Sequence, residues 1–227
     1  IDLIHTLQLE ITGAEISLSA PLSYDTEISK GDVFVSDMFS LYKYENMLYT
    51  MLLSGKEVKN ALEMSYDLWT NQMKSPDDHL LLLRKKRREG ANDRASFQNF
   101  SFNFDSAAGI IYTVDVTKPS GEKVTIVSMA DGSPFSMDKM YKVALNSYRG
   151  NGGGELLTKG AGISQDELKS RILFSTDKDL RYYLMQYIEK KGVIEPHALG
   201  QWKFIPEEWT VPAAKRDYEY LFGKVEK

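Results

Sequence analysis

Two short stretches of this chain place flat, hydrogen-bonding side chains where a strand-like run gives out. The first, Val143 to Glu155, reads Val-Ala-Leu-Asn-Ser-Tyr-Arg-Gly-Asn-Gly-Gly-Gly-Glu. Tyr148 offers a π-face, Arg149 a planar cation, and Asn146 and Asn151 offer amides. Gly152, Gly153 and Gly154 carry no Cβ atoms, so their backbone amides can come close to a bound molecule. The other stretch, Phe39 to Asn46, runs directly into the apolar segment Met47 to Leu53 and leaves Tyr44 and Asn46 at the mouth of another strand. The chemistry on offer is non-covalent: stacking on a planar ring system and hydrogen bonding at its edge. A glycine cluster after a strand is also an ordinary turn, and a tyrosine is also an ordinary core residue. Each tyrosine, however, stands beside Asn or Gly rather than inside an apolar periodicity.

Bond-breaking chemistry finds no such footing. A dimetal hydrolytic centre needs several His, Asp and Asn ligands around two cations. The three histidines, His5, His79 and His197, are far apart in sequence. Asp77-Asp78-His79 has the form Asp-x-His, but it follows Pro76 rather than an opening strand, and the match is read as chance. No nucleophile elbow, Walker loop or dinucleotide fingerprint occurs, and Ser147 has no histidine at a motif spacing. No catalytic residue and no metal ligand is therefore expected in this chain. The basic run Arg84 to Arg88 is balanced by Glu89 and Asp93, which suits a solvated loop or a face turned toward another domain.

The elements that must position the two loops follow from periodicity. Ile1 to Leu7 is amphipathic, with no capping residue ahead of it, the pattern of a helix entered from further chain; it ends near Gly13, and Glu15 to Ala20 then alternates as a strand. Met47 to Leu53 is apolar on both faces, which predicts a strand covered on both sides. Ser54-Gly55-Lys56-Glu57 has the form of a capping box, and Val58, Ala61, Leu62, Ser65 and Trp69 mark one face of the helix it opens. Ile110 to Val116 and Lys123 to Met129, separated by Pro119-Ser120-Gly121, form a hairpin pattern, and Met140 to Ser147 is the strand that delivers Tyr148. Thr176 is expected to cap a helix striped by Leu180, Tyr183, Leu184, Tyr187 and Ile188 and ended by Gly192; a last helix is expected from Pro212.

The order of these features resembles the C-terminal domain of the 5'-nucleotidase family, exported metallophosphoesterases that include UDP-sugar hydrolases and 2',3'-cyclic-nucleotide 2'-phosphodiesterase/3'-nucleotidases. One family loop resembles Tyr44-Glu45-Asn46 followed by Leu52-Leu53-Ser54-Gly55-Lys56-Glu57, and the other resembles Tyr148 ahead of Gly152 and Gly153. The resemblance runs from Thr12-Gly13-Ala14-Glu15-Ile16 to the region of Trp202. Tyrosine in both loops, with Lys74 to His79 and the run Phe102-Asn103-Phe104-Asp105, is more similar to the cyclic-phosphodiesterase branch. Where many 5'-nucleotidases read Asn-x-Gly-Gly-x-Arg this chain has Ser19-Ala20-Pro21-Leu22-Ser23, without the arginine, and it has Gly154 where UDP-sugar hydrolases often carry aspartate.

What the resemblance implies is an α+β fold of mixed β-sheets layered with helices, with residues 1–227 as a single substrate-binding domain. Tyr44 and Tyr148 would sandwich a nucleobase. Asn46, Asn151 and the backbone of Gly152 to Gly154 would bond to base or ribose, Glu155 would accept from ribose, and Arg149 would support the loop or approach phosphate. Partners would be nucleosides or nucleotides and an N-terminal metallophosphoesterase domain outside this chain, which would hold two divalent metal ions; the location would be periplasmic or cell-surface. The alternatives are an interaction domain that packs on the phosphoesterase domain, and specificity of the UDP-sugar hydrolase type.

Composition sets outer bounds on these readings. With 227 residues, 42% hydrophobic and 26% charged, the chain can bury a substantial core as one domain. No apolar run approaches the roughly 20 residues of a membrane span. A net charge of −4 argues against a nucleic-acid polymer as partner, and the absence of cysteine excludes disulfides and thiolate chemistry.

Overall fold

The structure, a computed structural model, describes residues 1–23, 26–84 and 96–223. In chain order the main elements are α1 (Asp2–Thr12), β1 (Ile16–Ser19), α2 (Val35–Leu41), β2 (Met47–Ser54), α3 (Gly55–Trp69), β3 (Leu83–Arg84), β4 (Ser96–Phe97), β5 (Ser106–Ala108), β6 (Ile110–Asp115) and β7 (Val124–Met129). They continue with β8 (Met140–Asn146), α4 (Ser147–Gly150), α5 (Gln165–Ser170), β9 (Ile172–Asp179), α6 (Leu180–Lys191), β10 (Trp202–Ile205) and α7 (Glu207–Phe222).

A mixed sheet in the order β5-β1-β8-β2-β9 forms the centre of the fold. Its strands alternate sides with the period of two that a pleated strand imposes. Met51 and Leu53 of β2 and Tyr141, Val143 and Leu145 of β8 enter one core with α3, β6 and β7. Leu48 and Ala144 face the other way, into a second core with Ile4 and Leu7 of α1, Met38 of α2, and Leu180 and Leu184 of α6. Met47 to Leu53 is thus covered on both faces, as its composition requires. A smaller sheet, β10-β6-β7, shares that first core with α3. The fold is α+β, with mixed sheets layered between helices.

The capping box at α3 forms as expected: Ser54 Oγ accepts from the Glu57 amide and Glu57 accepts from the Ser54 amide. The hairpin β6–β7 also forms, with Val114 opposite Val124. Two expected helix starts are corrected. Thr176 lies inside β9, where its hydroxyl accepts from the Leu48 amide at 2.9 Å and donates to Lys178 O at 2.8 Å. The cap of α6 is Asp179, which accepts from the Tyr182 amide at 2.8 Å. Pro212 lies within α7, which begins at Glu207 after Pro206; the acidic pair Glu207 and Glu208 fills the first turn, where the helix dipole favours negative charge. Strand β10, which pairs in parallel with β6, has no clear mark in the sequence. The greater part of the basic run, residues 85–88, lies outside the described residues, as do Glu89 and Asp93. Among the described residues no helix is long and apolar enough to cross a membrane.

Candidate functional site

The pairing of β2 with β8 is what creates the site. They run antiparallel with Leu48 opposite Asn146, so the start of one strand lies against the end of the other. Tyr44, just before β2, and Tyr148, just after β8, therefore emerge at the same end of the sheet. The Met47 amide bonds to Ser147 Oγ at 3.1 Å and ties the two loops directly. Both tyrosines are partly open, 39% and 40% exposed.

A third ring joins them. Phe102 meets Tyr44 edge to face at a centroid distance of 6.3 Å and Tyr148 likewise at 6.1 Å. Such perpendicular contacts follow from the negative face and positive edge of aromatic rings. Phe100 then stacks on Phe102 at 5.1 Å with an interplanar angle of 8°. In the sequence, the run Phe102 to Asp105 stands out only as a mark of family branch.

Each tyrosine loop is pinned by a buried arginine. Arg149 is 2% exposed. Its Nε and one terminal nitrogen form a bidentate pair with Asp105 at 2.9 and 2.7 Å, and it also donates to Phe102 O at 3.1 Å, to Asn103 Oδ1 at 3.4 Å and to Gly153 O. All five guanidinium protons then have acceptors within the protein. Its charge is met by Asp105, and its bonds tie the Phe102 turn to the Gly153 loop. Arg181 of α6, which no sequence pattern marks, serves the other loop. It is 6% exposed, donates to Tyr42 O at 3.3 Å, pairs with Glu45 at 3.3 Å and Asp179 at 3.4 Å, and lies 4.1 Å from the centre of the Phe39 ring.

The glycines do something more specific than turning the chain. A Cβ on Gly153 would lie 2.5 Å from the Tyr148 ring, so the bare backbone is what lets that ring lie flat against the loop. A Cβ on Gly154, at φ +67°, would strike Asn103 and the Arg149 guanidinium. The Gly152 amide is used within the loop, bonding to Arg149 O at 3.0 Å. In this structure the cluster seats Tyr148 and Arg149.

The remaining candidates are spread around this centre. Asn46 is half-buried and its carbonyl accepts from the Leu180 amide at 2.9 Å. Asn146 is 7% exposed and caps α4, its Oδ1 accepting from the Arg149 amide at 2.8 Å. Asn151 is exposed, and its carbonyl accepts from Gln165 Nε2 at 3.0 Å. Glu155 is exposed, holds a left-handed φ of 62° unusual for a residue with a Cβ, and pairs with Lys159 at 2.8 Å.

Among the described residues, no three His, Cys, Asp or Glu converge on a point that would suit a metal ion. The histidines have other uses. His5 is buried between Ser17 Oγ at 2.8 Å and Ser106 Oγ at 3.1 Å, and burial lowers its pKa to about 4. His79 pairs through Nδ1 with the buried Asp217 of α7, and Asp78 accepts from the Lys74 amide at 2.6 Å. His197 lies near a cavity of about 500 Å³ lined also by Ile1, Leu3, Tyr187 and Val193, away from the aromatic loops.

Comparison with known proteins places this geometry in context. A family model described as the 5'-nucleotidase C-terminal domain matches residues 1–159. The chain is 29% identical over 200 residues to the trifunctional nucleotide phosphoesterase protein YfkN of Bacillus subtilis, covering 83% of this chain and 12% of that protein. It is 29% identical over 205 residues to the 2',3'-cyclic-nucleotide 2'-phosphodiesterase/3'-nucleotidase of Salmonella typhimurium, covering 82% of this chain and 28% of that protein. Among solved structures, the 5'-nucleotidase precursor of Thermus thermophilus aligns with a TM-score of 0.65 at 22% identity, over 90% of this chain and 35% of that one. The chain thus spans between about an eighth and about a quarter of the length of the curated relatives it matches.

Proposed function

The chain belongs to the 5'-nucleotidase C-terminal domain family, and on that premise we propose that it is the substrate-binding and specificity domain of an exported nucleotide phosphoesterase. Tyr44 and Tyr148 clamp the nucleobase. The observation that carries this reading is that two half-exposed tyrosines, from loops far apart in sequence, emerge at one end of an antiparallel strand pair and share contact with Phe102. Stacking on such rings contributes about 1–3 kcal/mol per base. The exposed Asn151, three residues after Tyr148, and the partly buried Asn46, two residues after Tyr44, supply hydrogen bonds to base or ribose; Glu155 is the ribose acceptor.

Hydrolysis itself is assigned to two divalent ions on a separate N-terminal metallophosphoesterase domain, since the described residues here do not fit a dimetal centre. The names of the curated relatives favour a 2',3'-cyclic or 3'-phosphorylated nucleotide as substrate. A periplasmic or cell-surface location is part of the same proposal.

An NMR titration with adenosine, on the wild type and on Tyr44→Ala and Tyr148→Ala, tests the clamp. A millimolar dissociation constant, about −4 kcal/mol, is expected because two stacking contacts must offset ligand immobilisation. Saturable shifts that vanish in both variants support the clamp; shifts indifferent to both tyrosines refute it. In the same samples no phosphoester hydrolysis is expected. An interaction reading draws on the exposed Phe34, Val35 and Phe39 around α2, and gains if Tyr44→Ala weakens docking of a phosphoesterase domain while nucleoside affinity is unchanged.

A further inference from the structure

Phe100 is 68% exposed, more than any other phenylalanine described as exposed, yet it stands on firm backbone. Asn99 Nδ2 donates to Leu68 O at 2.5 Å, and Phe100 O accepts from the Asn103 amide at 3.0 Å to close the 3-10 turn Ser101–Asn103. Phe102 in that turn is held through its carbonyl by Arg149. The ring therefore lies parallel to Phe102 on an anchored turn, and Phe102 in turn touches both tyrosines. Four rings form one continuous aromatic surface of which the two tyrosines are only the inner part.

From this continuity we infer that Phe100 is an outer base-stacking platform, and that the site takes ligands with two bases, of the dinucleotide class. One base lies in the tyrosine clamp and the other stacks on the open part of Phe100. A phenylalanine face suits this role because every base has a π-face and stacking needs no base-specific hydrogen bond. The inference rests on the tyrosine-clamp reading above and extends it outward.

The test compares adenosine with the dinucleoside monophosphate adenylyl-(3'→5')-adenosine, titrated into the wild type, Phe100→Ala and Tyr148→Ala. One added stacking contact corresponds to about tenfold in affinity, so the wild type should bind the two-base probe about tenfold more tightly than adenosine. Phe100→Ala should remove that increment and leave adenosine affinity unchanged; Phe100→Trp should retain or increase it. Equal affinity for both probes, or a Phe100→Ala loss that is the same for both, overturns the platform while adenosine binding that depends on Tyr148 keeps the clamp intact. Adenosine binding indifferent to Tyr148 instead overturns the clamp, and the platform with it.

Discussion

At the scale of single residues, the two buried arginines explain why the rings stand where they do. A guanidinium is planar and can bond in several directions at once, so one side chain can fasten two loops. Arg149 joins the turn of Phe102 and Asn103 to the loop of Gly153, with Asp105 as its counter-charge. Removing one partner of a buried pair leaves the other charge uncompensated, at a cost of about 3–5 kcal/mol. Urea unfolding of Arg149→Met should show a loss in that range. Arg149→Met combined with Asp105→Leu should recover part of it, because neither charge is then stranded. A single-variant loss below about 1 kcal/mol would mean that the pair does not hold the loops.

At the scale of elements, α6 serves the site from behind the sheet. Its first turn supplies Arg181 to the carbonyl of Tyr42 and to Glu45, and its Leu180 amide bonds to Asn46 O, so the helix start and the Tyr44 loop form one unit. Arg181→Leu removes the donor from the carbonyls of Tyr42 and Lys43, and each unpaired buried group costs about 1–3 kcal/mol. Global stability should fall by about 2 kcal/mol. Hydrogen exchange should accelerate at the Met47 amide, which joins the two loops through Ser147. Unchanged exchange there would show that the β2–β8 pairing alone orders the loop. The helix stripe Leu180, Tyr183, Leu184, Tyr187 and Ile188 was legible in the sequence as a packing face and is one. Arg181 was not legible, because a charged residue one position along from a stripe looks like a solvent-facing residue until a loop distant in sequence folds over it.

At the scale of the whole molecule, α1 is attached to the central sheet through a buried polar chain. Gln8 Oε1 accepts from Ser17 Oγ at 2.7 Å, so Ser17 in turn accepts from His5 Nδ1–H, and His5 Nε2 is left to accept from Ser106. That arrangement needs a neutral imidazole, and burial holds the His5 pKa at about 4 against the ordinary 6.5. A depressed histidine pKa means that the unfolded chain binds the extra proton first. The stability from neutral His5 is therefore present in full above about pH 6.5 and is lost as pH falls toward 4. The full loss is on the order of 3 kcal/mol. Urea midpoints measured from pH 7.5 to 4.5 should fall in the wild type and vary much less in His5→Gln. Parallel pH profiles for the two proteins would locate acid sensitivity elsewhere.

Local pattern alone determined several of the elements and the faces they bury. The both-sided apolar run of β2, the capping box at Ser54, the alternation of β6 and the stripe of α6 are written in the spacing of neighbouring residues, because helix and strand periods are local properties of the backbone. Tyr44 and Tyr148 were also legible as ring-bearing residues at strand ends. Only the tertiary structure decided which strand lies beside which, and the site follows from that choice. The antiparallel register of β2 and β8 brings the two loops to one end of the sheet, the turn at Phe102 inserts the third ring, and Asp105 and the Phe102 carbonyl hold Arg149 as a buried strut between loops. These facts depend on partners many residues away, whose contacts no local periodicity encodes.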